Sequence, residues 1–152
     1  MSDDLKISAA DCDDLTILSA CLQDAVVQVG DLAYLPEQRR FAGLFNRFRW
    51  ERPKRRLIGG DVHDRIVAGV HFEAVRKVSY RGFDRRDGER VLELLAVTCE
   101  DLADGGKVVE LAFAGDAAIR VEADRLAVFL GDRGEAWRAK AVPRHPEAGG
   151  AS

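Results

Sequence analysis

Helical periodicity with a cap to start it occurs in one stretch of this chain, and that limits the folds open to it. Leu15, Leu18, Leu22 and Ala25 recur at spacings of three and four, with Ile17 and Cys21 widening the apolar stripe. Asp11 stands where an N-cap belongs, and Asp13 and Asp14 put negative charge at the positive end of the helix dipole. The spacing predicts an amphipathic helix over residues 12–24. Its polar side, Thr16, Ser19 and Gln23, reads as a solvated face.

After the helix, apolar residues come in short β-branched or aromatic runs broken by Gly, Pro and Asp. Leu5-Lys6-Ile7 reads as an edge strand. Residues 25–29, 32–35, 66–81, 91–99, 107–114, 118–122 and 126–130 read as further strands, with Val91–Cys99 buried. Gly105-Gly106 and Gly115-Asp116 read as turns. Gly82 to Glu89, with Asp87-Gly88, reads as a hairpin connection, and Glu51 to Arg65 as a loop. Residues 41–50 admit two readings. Phe41, Phe45 and Phe48 align at helical spacing, while aromatic content and Gly43 favour a strand.

The expected fold class is therefore α+β: one N-terminal amphipathic helix with a mainly antiparallel sheet, curved or partly barrel-like. The connections leave no room for repeated crossover helices. A length of 152 residues suits one domain. We place it at residues 1–138, with 139–152, bearing Pro143, Pro146 and Gly149-Gly150, as a flexible tail. A faint echo at an offset of 49 residues, Ala25-Val26-x-x-Val29 against Ala74-Val75-x-x-Val78, rests on residue types too common to establish a duplication.

Charge is segregated beneath a formal net charge of −3. Residues 1–38 carry one Lys/Arg against eight Asp/Glu, residues 39–90 fifteen against seven, and residues 91–152 seven against eleven. Arg39 to Arg56 is densest, with eight basic residues opposed only by Glu51. The plain reading is that the acidic first third folds against the basic middle third. The sharper one is a surface for an anionic partner.

Motifs for chemistry are absent. The chain has no HExxH, phosphate loop, dinucleotide fingerprint or Gly-x-Ser-x-Gly elbow. Cys12, Cys21 and Cys99 form no CxxC pair. With an acidic start unlike a signal peptide and no apolar run of membrane length, they read as reduced thiols in a soluble, cytoplasmic protein. Cys21 and Cys99 read as core residues. Asp61-Val62-His63-Asp64 offers possible metal ligands but no second cluster completes them, so a solvated loop histidine is the better reading. His71 reads as a half-buried strand histidine. We expect no metal, no cofactor and no catalytic residues.

The strongest functional signal is the basic-aromatic segment. Alternation along a strand puts Ala42, Leu44, Asn46, Phe48 and Trp50 on one face and Phe41, Gly43, Phe45, Arg47 and Arg49 on the other. We expect aromatic rings inside and arginines outside, with Phe48 and Trp50 fixing the strand from behind. The leading expectation is a small non-catalytic binding or regulatory domain that holds an acidic protein or other anionic partner. Its candidate contacts are Arg47, Arg49, Arg52, Lys54, Arg55 and Arg56. One alternative is RNA or DNA binding through the same surface, cations on phosphates and rings on bases. Another is a small enzyme gathering His63, His71 and other residues from distant positions. The oligomeric state is not legible.

Several segments together carry a family resemblance. Leu22-Gln23-Asp24-Ala25-Val26, Gly30-Asp31-Leu32-Ala33-Tyr34-Leu35-Pro36, Arg40-Phe41, Asn46-Arg47-Phe48-x-Trp50-Glu51 and Leu94-Leu95-Ala96-Val97 are joined by Phe113-Ala114-Gly115-x-x-Ala118-Ile119-Arg120 and Ala136-Trp137. The chain from Leu5 to Trp137 resembles the bacterial family catalogued as domain of unknown function 2948. The resemblance implies a single-domain cytoplasmic protein and supplies no activity and no site residues.

Overall fold

Short β-branched runs need partners on both sides, and in this chain they find them in one large sheet. The computed structural model describes residues 4–51, 55–57, 60–62 and 65–133. Within them lie β1 (Lys6–Ala9), α1 (Cys12–Cys21), β2 (Val26–Gln28), β3 (Leu32–Leu35), β4 (Arg40–Phe48), β5 (Arg55–Leu57), β6 (Gly60–Val62), β7 (Arg65–Phe72), β8 (Val75–Arg81), β9 (Val91–Asp101), β10 (Lys107–Phe113), β11 (Ala117–Ala123) and β12 (Val128–Asp132). Every pairing is antiparallel. Ten strands run in the order β1-β12-β7-β4-β2-β9-β10-β11-β8, with β3 also on β4, while β5 and β6 pair apart.

The protein is mainly β, and the expected α+β class with an amphipathic helix does not hold. The helix is short and accessory. Asp11 caps it as the sequence suggests, accepting the Asp14 N–H at 2.7 Å, and the Asp14 carboxylate reaches back to the Ala10 N–H at 3.0 Å. It ends at Cys21 rather than at residue 24. Asp24 turns left-handed at φ 61°, and Ala25, whose carbonyl accepts the Leu94 N–H at 2.8 Å, already belongs to the sheet. Its buried face is narrow: Leu15 and Leu18, with Leu22 at the cap. Ile17, expected to widen that face, is 64% exposed.

The sheet folds over on itself because β9 serves two halves. Val91–Glu93 pair with β2, and Leu94 to Asp101 pair with β10. Between Leu94 opposite Phe113 and Ala96 opposite Ala112, Leu95 is an extra, bulged residue. The bulge inverts the alternation. Leu92 and Leu94 point inward before it, Val97 and Cys99 after it, and Leu95 is left 58% exposed. The strand read as buried is thus two half-exposed segments of opposite parity. Phe41, Phe45, Val70 and Leu130 from one half share a single core with Leu111, Phe113, Ile119 and Val121 from the other, and Leu15, Leu18 and Leu22 join it.

Two connections differ from expectation. The stretch 51–65 contains β5 and β6 rather than being all loop. Residues 82–90 are no hairpin turn, because β8 pairs with β11 and β9 with β2 and β10. The segment instead crosses from one half to the other, and glycines fix its ends. A Cβ on Gly82 would stand 2.4 Å from the Asp116 carbonyl oxygen, and Gly30 donates its N–H to the Gly88 oxygen at 2.9 Å.

A disulfide joins Cys12, in the first turn of α1, to Cys99 on β9, with Cα atoms 5.6 Å apart. This corrects the expectation of three reduced thiols and removes the thiol argument for a cytoplasmic location. The signal was hidden because 87 residues separate the two. Cys21 is free, and burial pushes its thiol above the ordinary range. No helix among the described residues is long and apolar enough to cross a membrane.

Candidate functional site

The arginines expected on the outer face of β4 are turned inward. Arg47 is 0% exposed, and its guanidinium spends all five N–H donors inside the protein. Nε and Nη2 donate to Asp132 at 2.9 and 2.8 Å, Nη1 and Nη2 to Glu51 at 2.9 and 2.7 Å, and Nη1 to the Phe48 carbonyl at 2.9 Å. Asp132 is equally buried and also accepts the Leu5 N–H at 2.9 Å, which ties β1 to the cluster. Burial works against the Arg47 cation, but the bonds from Glu51 and Asp132 outweigh it and hold the group more basic than usual. Arg47 in turn holds the Glu51 carboxyl below its usual range. Arg49 is also buried, 3.6 Å from Asp4, which takes Arg133 Nε at 2.7 Å.

The face assignment is therefore reversed. Phe41 and Phe45 share the inner parity with Arg47 and Arg49, while Phe48 is half-buried and Trp50 exposed on the other side. The physical reason is Asp132: a carboxylate two strands away on β12 makes the interior hospitable to a guanidinium. Arg52 and Lys54 lie outside the described residues, as does His63. Arg55 and Arg56 stand on β5, whose side chains are not described.

Charge pairing also departs from the plain reading. Among the described residues, the basic middle third pairs mostly with the last third: Arg39 with Asp124, Arg47 with Asp132, Arg76 with Asp104 and Asp124, and Arg81 with Glu110. From the acidic first third, Asp4 alone among the described residues takes an arginine of the middle third.

The described residues gather chemistry elsewhere. Three connections meet at one end of the sheet: Pro36–Arg39 before β4, Glu73-Ala74 between β7 and β8, and Asp124 to Ala127 between β11 and β12. They frame an open cleft of about 480 Å³ lined by Gln38, Arg39, Arg40, His71, Glu73, Ala74, Arg125 and Phe129. Register does the assembly. Phe41 opposes Phe72 across β4 and β7, which brings Arg40 beside Glu73, and His71 opposes Phe129 across β7 and β12.

His71 is 2% exposed and stacks on the Phe129 ring, with centroids 4.7 Å apart and planes at 19°. Its Nδ1 lies 2.9 Å from Glu73 Oε2, and the same oxygen accepts Arg40 Nε at 2.8 Å. Arg40 Nη1 donates to Gln38 Oε1 at 2.7 Å. Arg39 pairs with Asp124. Arg125 is exposed at the rim, and no described carboxylate pairs with it. Arg39 at φ 55° and Ala74 at φ 58° are both left-handed without being glycine, so two turns bordering the cleft hold backbone that costs energy to keep.

Sequence reasoning saw His71 as a half-buried strand residue or as part of a dispersed enzyme site with His63, and missed Gln38, Glu73, Arg125 and Phe129 as its companions. Residues so far apart in the chain leave no spacing signal. No group of three His, Cys, Asp or Glu side chains suited to a metal occurs among the described residues.

Residues 5–145 match the family model described as protein of unknown function (DUF2948). The chain belongs to that family. The match spans nearly all of this DUF2948 protein, the His71 cleft and the Arg47–Asp132 cluster included. No curated protein and no solved structure matches it.

Proposed function

We propose that this DUF2948 protein is a non-catalytic binding domain that holds an anionic partner, an acidic protein surface, in the cleft around His71. The observation that carries the reading is the set of three arginines, Arg39, Arg40 and Arg125, gathered around a buried histidine at an open cleft. Cations there outnumber the carboxylates of Glu73 and Asp124 that pair with them, and Arg125 is left for a guest. The lining groups with nucleophilic chemistry, His71 and Glu73, are engaged with each other and with Arg40, which favours binding over group transfer. Arg52, Lys54, Arg55 and Arg56 stay in the proposal as a second basic segment. Arg47 and Arg49 leave it, because their partners are internal.

The test is capture of partners from cell extract, with and without nuclease, by the wild-type chain, by Arg125→Glu and by Arg55→Glu/Arg56→Glu. The expected result is a stoichiometric acidic protein that survives nuclease and is lost at least tenfold with Arg125→Glu at an unchanged thermal midpoint. Equal capture by Arg125→Glu overturns the reading. Loss only with the Arg55/Arg56 variant moves the surface to β5.

One observation favours a second reading, single-stranded nucleic acid. Phe48 and Trp50, expected behind the strand, face outward with centroids 5.1 Å apart, and the Arg65 guanidinium sits 4.3 Å over the Phe48 ring. That arrangement suits base stacking beside phosphate contact. It predicts affinity for an oligonucleotide that falls steeply with salt and with Trp50→Ala, and a flat salt response removes it.

A further inference from the structure

The helix does not lie flush on the sheet, and an open groove runs between them. α1 passes antiparallel to β9, held at its start by the Cys12–Cys99 bridge and at its end by the Leu94 N–H on the Ala25 carbonyl. Between the two elements is a hollow of about 330 Å³, lined by Thr16, Ser19 and Gln23 from the helix and by Leu94, Leu95 and Val97 from the strand. The β9 bulge opens it, because it turns Leu95 outward. Ile17 on α1 and Leu95 on β9, at 64% and 58%, are the two most exposed large apolar side chains among the described residues. Trp50 borders the far end, where its Nε1 donates to the Gln23 carbonyl at 3.0 Å.

The walls carry charge of one sign. Residues 11–24 hold four acidic side chains and residues 91–101 three, with no Lys or Arg in either stretch. Asp13 and Asp24, at the two ends of the helix, and Glu93 and Glu100 on β9 take no cation among the described residues. An occupant of this groove therefore needs apolar surface and positive charge together.

We infer that the occupant is the chain's own C-terminal segment, residues 134–145, which docks Trp137 on the apolar floor and Arg138, Lys140 and Arg144 against the acidic walls. These residues lie outside the described structure, and three observations select them. The first is position. β12 ends at Asp132, bound to Arg47, and Arg133 at φ 63° ends the strand at the same end of the sheet as Trp50 and Gln23. The second is reach. Four strand spacings, roughly 19 Å, separate β12 from β9, and α1 is roughly 15 Å long. Twelve residues extend to roughly 40 Å, enough to cross the one and follow the other. The third is composition. The segment has Trp137 and Val142 with three Lys/Arg against Glu135 alone, the complement of the walls. The family match also runs through residue 145. The groove lies at the opposite end of β4 from the His71 cleft and is independent of it.

The test uses the full chain with Cys21→Ser and Ala139→Cys, labelled there with a nitroxide without reductant so that the Cys12–Cys99 bridge stays closed. Amides of Thr16–Gln23 and Leu94–Val97 should lose at least half their intensity relative to the diamagnetic control, while those of Arg40 and Arg125 keep theirs. Two variants should each cut that broadening at least threefold. One is Ile17→Glu/Leu95→Glu, on exposed side chains. The other is Arg138→Glu/Lys140→Glu, which leaves the described residues untouched. The inference is overturned if the groove amides keep their intensity, which leaves the groove to another protein, or if both variants broaden as the parent does. Broadening that persists when labelled chains are mixed with isotope-enriched unlabelled ones, read on the latter, overturns it in favour of the segment of a second copy.

Discussion

At the scale of single residues, the decisive group is Arg47. A buried guanidinium with all five donors matched is neutralised in place, and removing a partner strands it. Asp132→Ala should cost about 3–5 kcal/mol in urea unfolding, because it leaves a buried cation half paired and frees the Leu5 N–H. The double replacement Arg47→Met/Asp132→Leu should cost far less than Asp132→Ala, since it removes both charges and keeps apolar volume. A double mutant no more stable than Asp132→Ala would show that packing, not the orphaned charge, sets the penalty. Alternation along β4 was legible in the sequence. Which parity faces inward was not, because the answer rests on a residue 85 positions away.

At the scale of elements, α1 and β9 are joined covalently and β9 changes parity along its length. The Cys12–Cys99 bridge closes a loop of 87 residues, for which chain entropy gives about 4–5 kcal/mol. Thiol titration of the denatured, unreduced protein should find one reactive cysteine, Cys21, and three after reduction. Reduction should also lower the urea midpoint. Three thiols before reduction would mean the bridge is absent. The bulge makes a second prediction. Leu94→Ala should lose about 2–5 kcal/mol as a core truncation, while Leu95→Ala, next in sequence, should stay within about 0.5 kcal/mol. Similar losses at both positions would place Leu95 inside and deny the parity change. Nothing in Leu92-Glu93-Leu94-Leu95-Ala96-Val97 marks where the extra residue falls, since its position is set by pairing with β10.

At the scale of the whole molecule, two halves of one sheet share a single core and β9 runs through both. Unfolding followed by circular dichroism and by tryptophan fluorescence should therefore superimpose as one transition. Separate midpoints would show that the halves melt independently. The same overall fold creates the His71 cleft, where three connections meet. It is made of segments remote in the chain, so it has no motif.

The sequence by itself determined the local grammar of this protein. It determined the cap at Asp11, the leucines that bury α1, the edge strand at the N-terminus and most of the strands after residue 25, though not β5 and β6 or the break between β7 and β8. It determined the family as well, since residue order alone carries that match. These are properties of neighbours, fixed by propensity and by alternation. Tertiary structure alone decided that Arg47 and Arg49 lie inside, that Cys12 meets Cys99, that 82–90 crosses between halves, and that His71 gathers Arg40 and Glu73. Each of these depends on which strand lies beside which. Antiparallel pairing brings together residues as far apart as Lys6 and Gly131 through backbone bonds that are the same for every side chain.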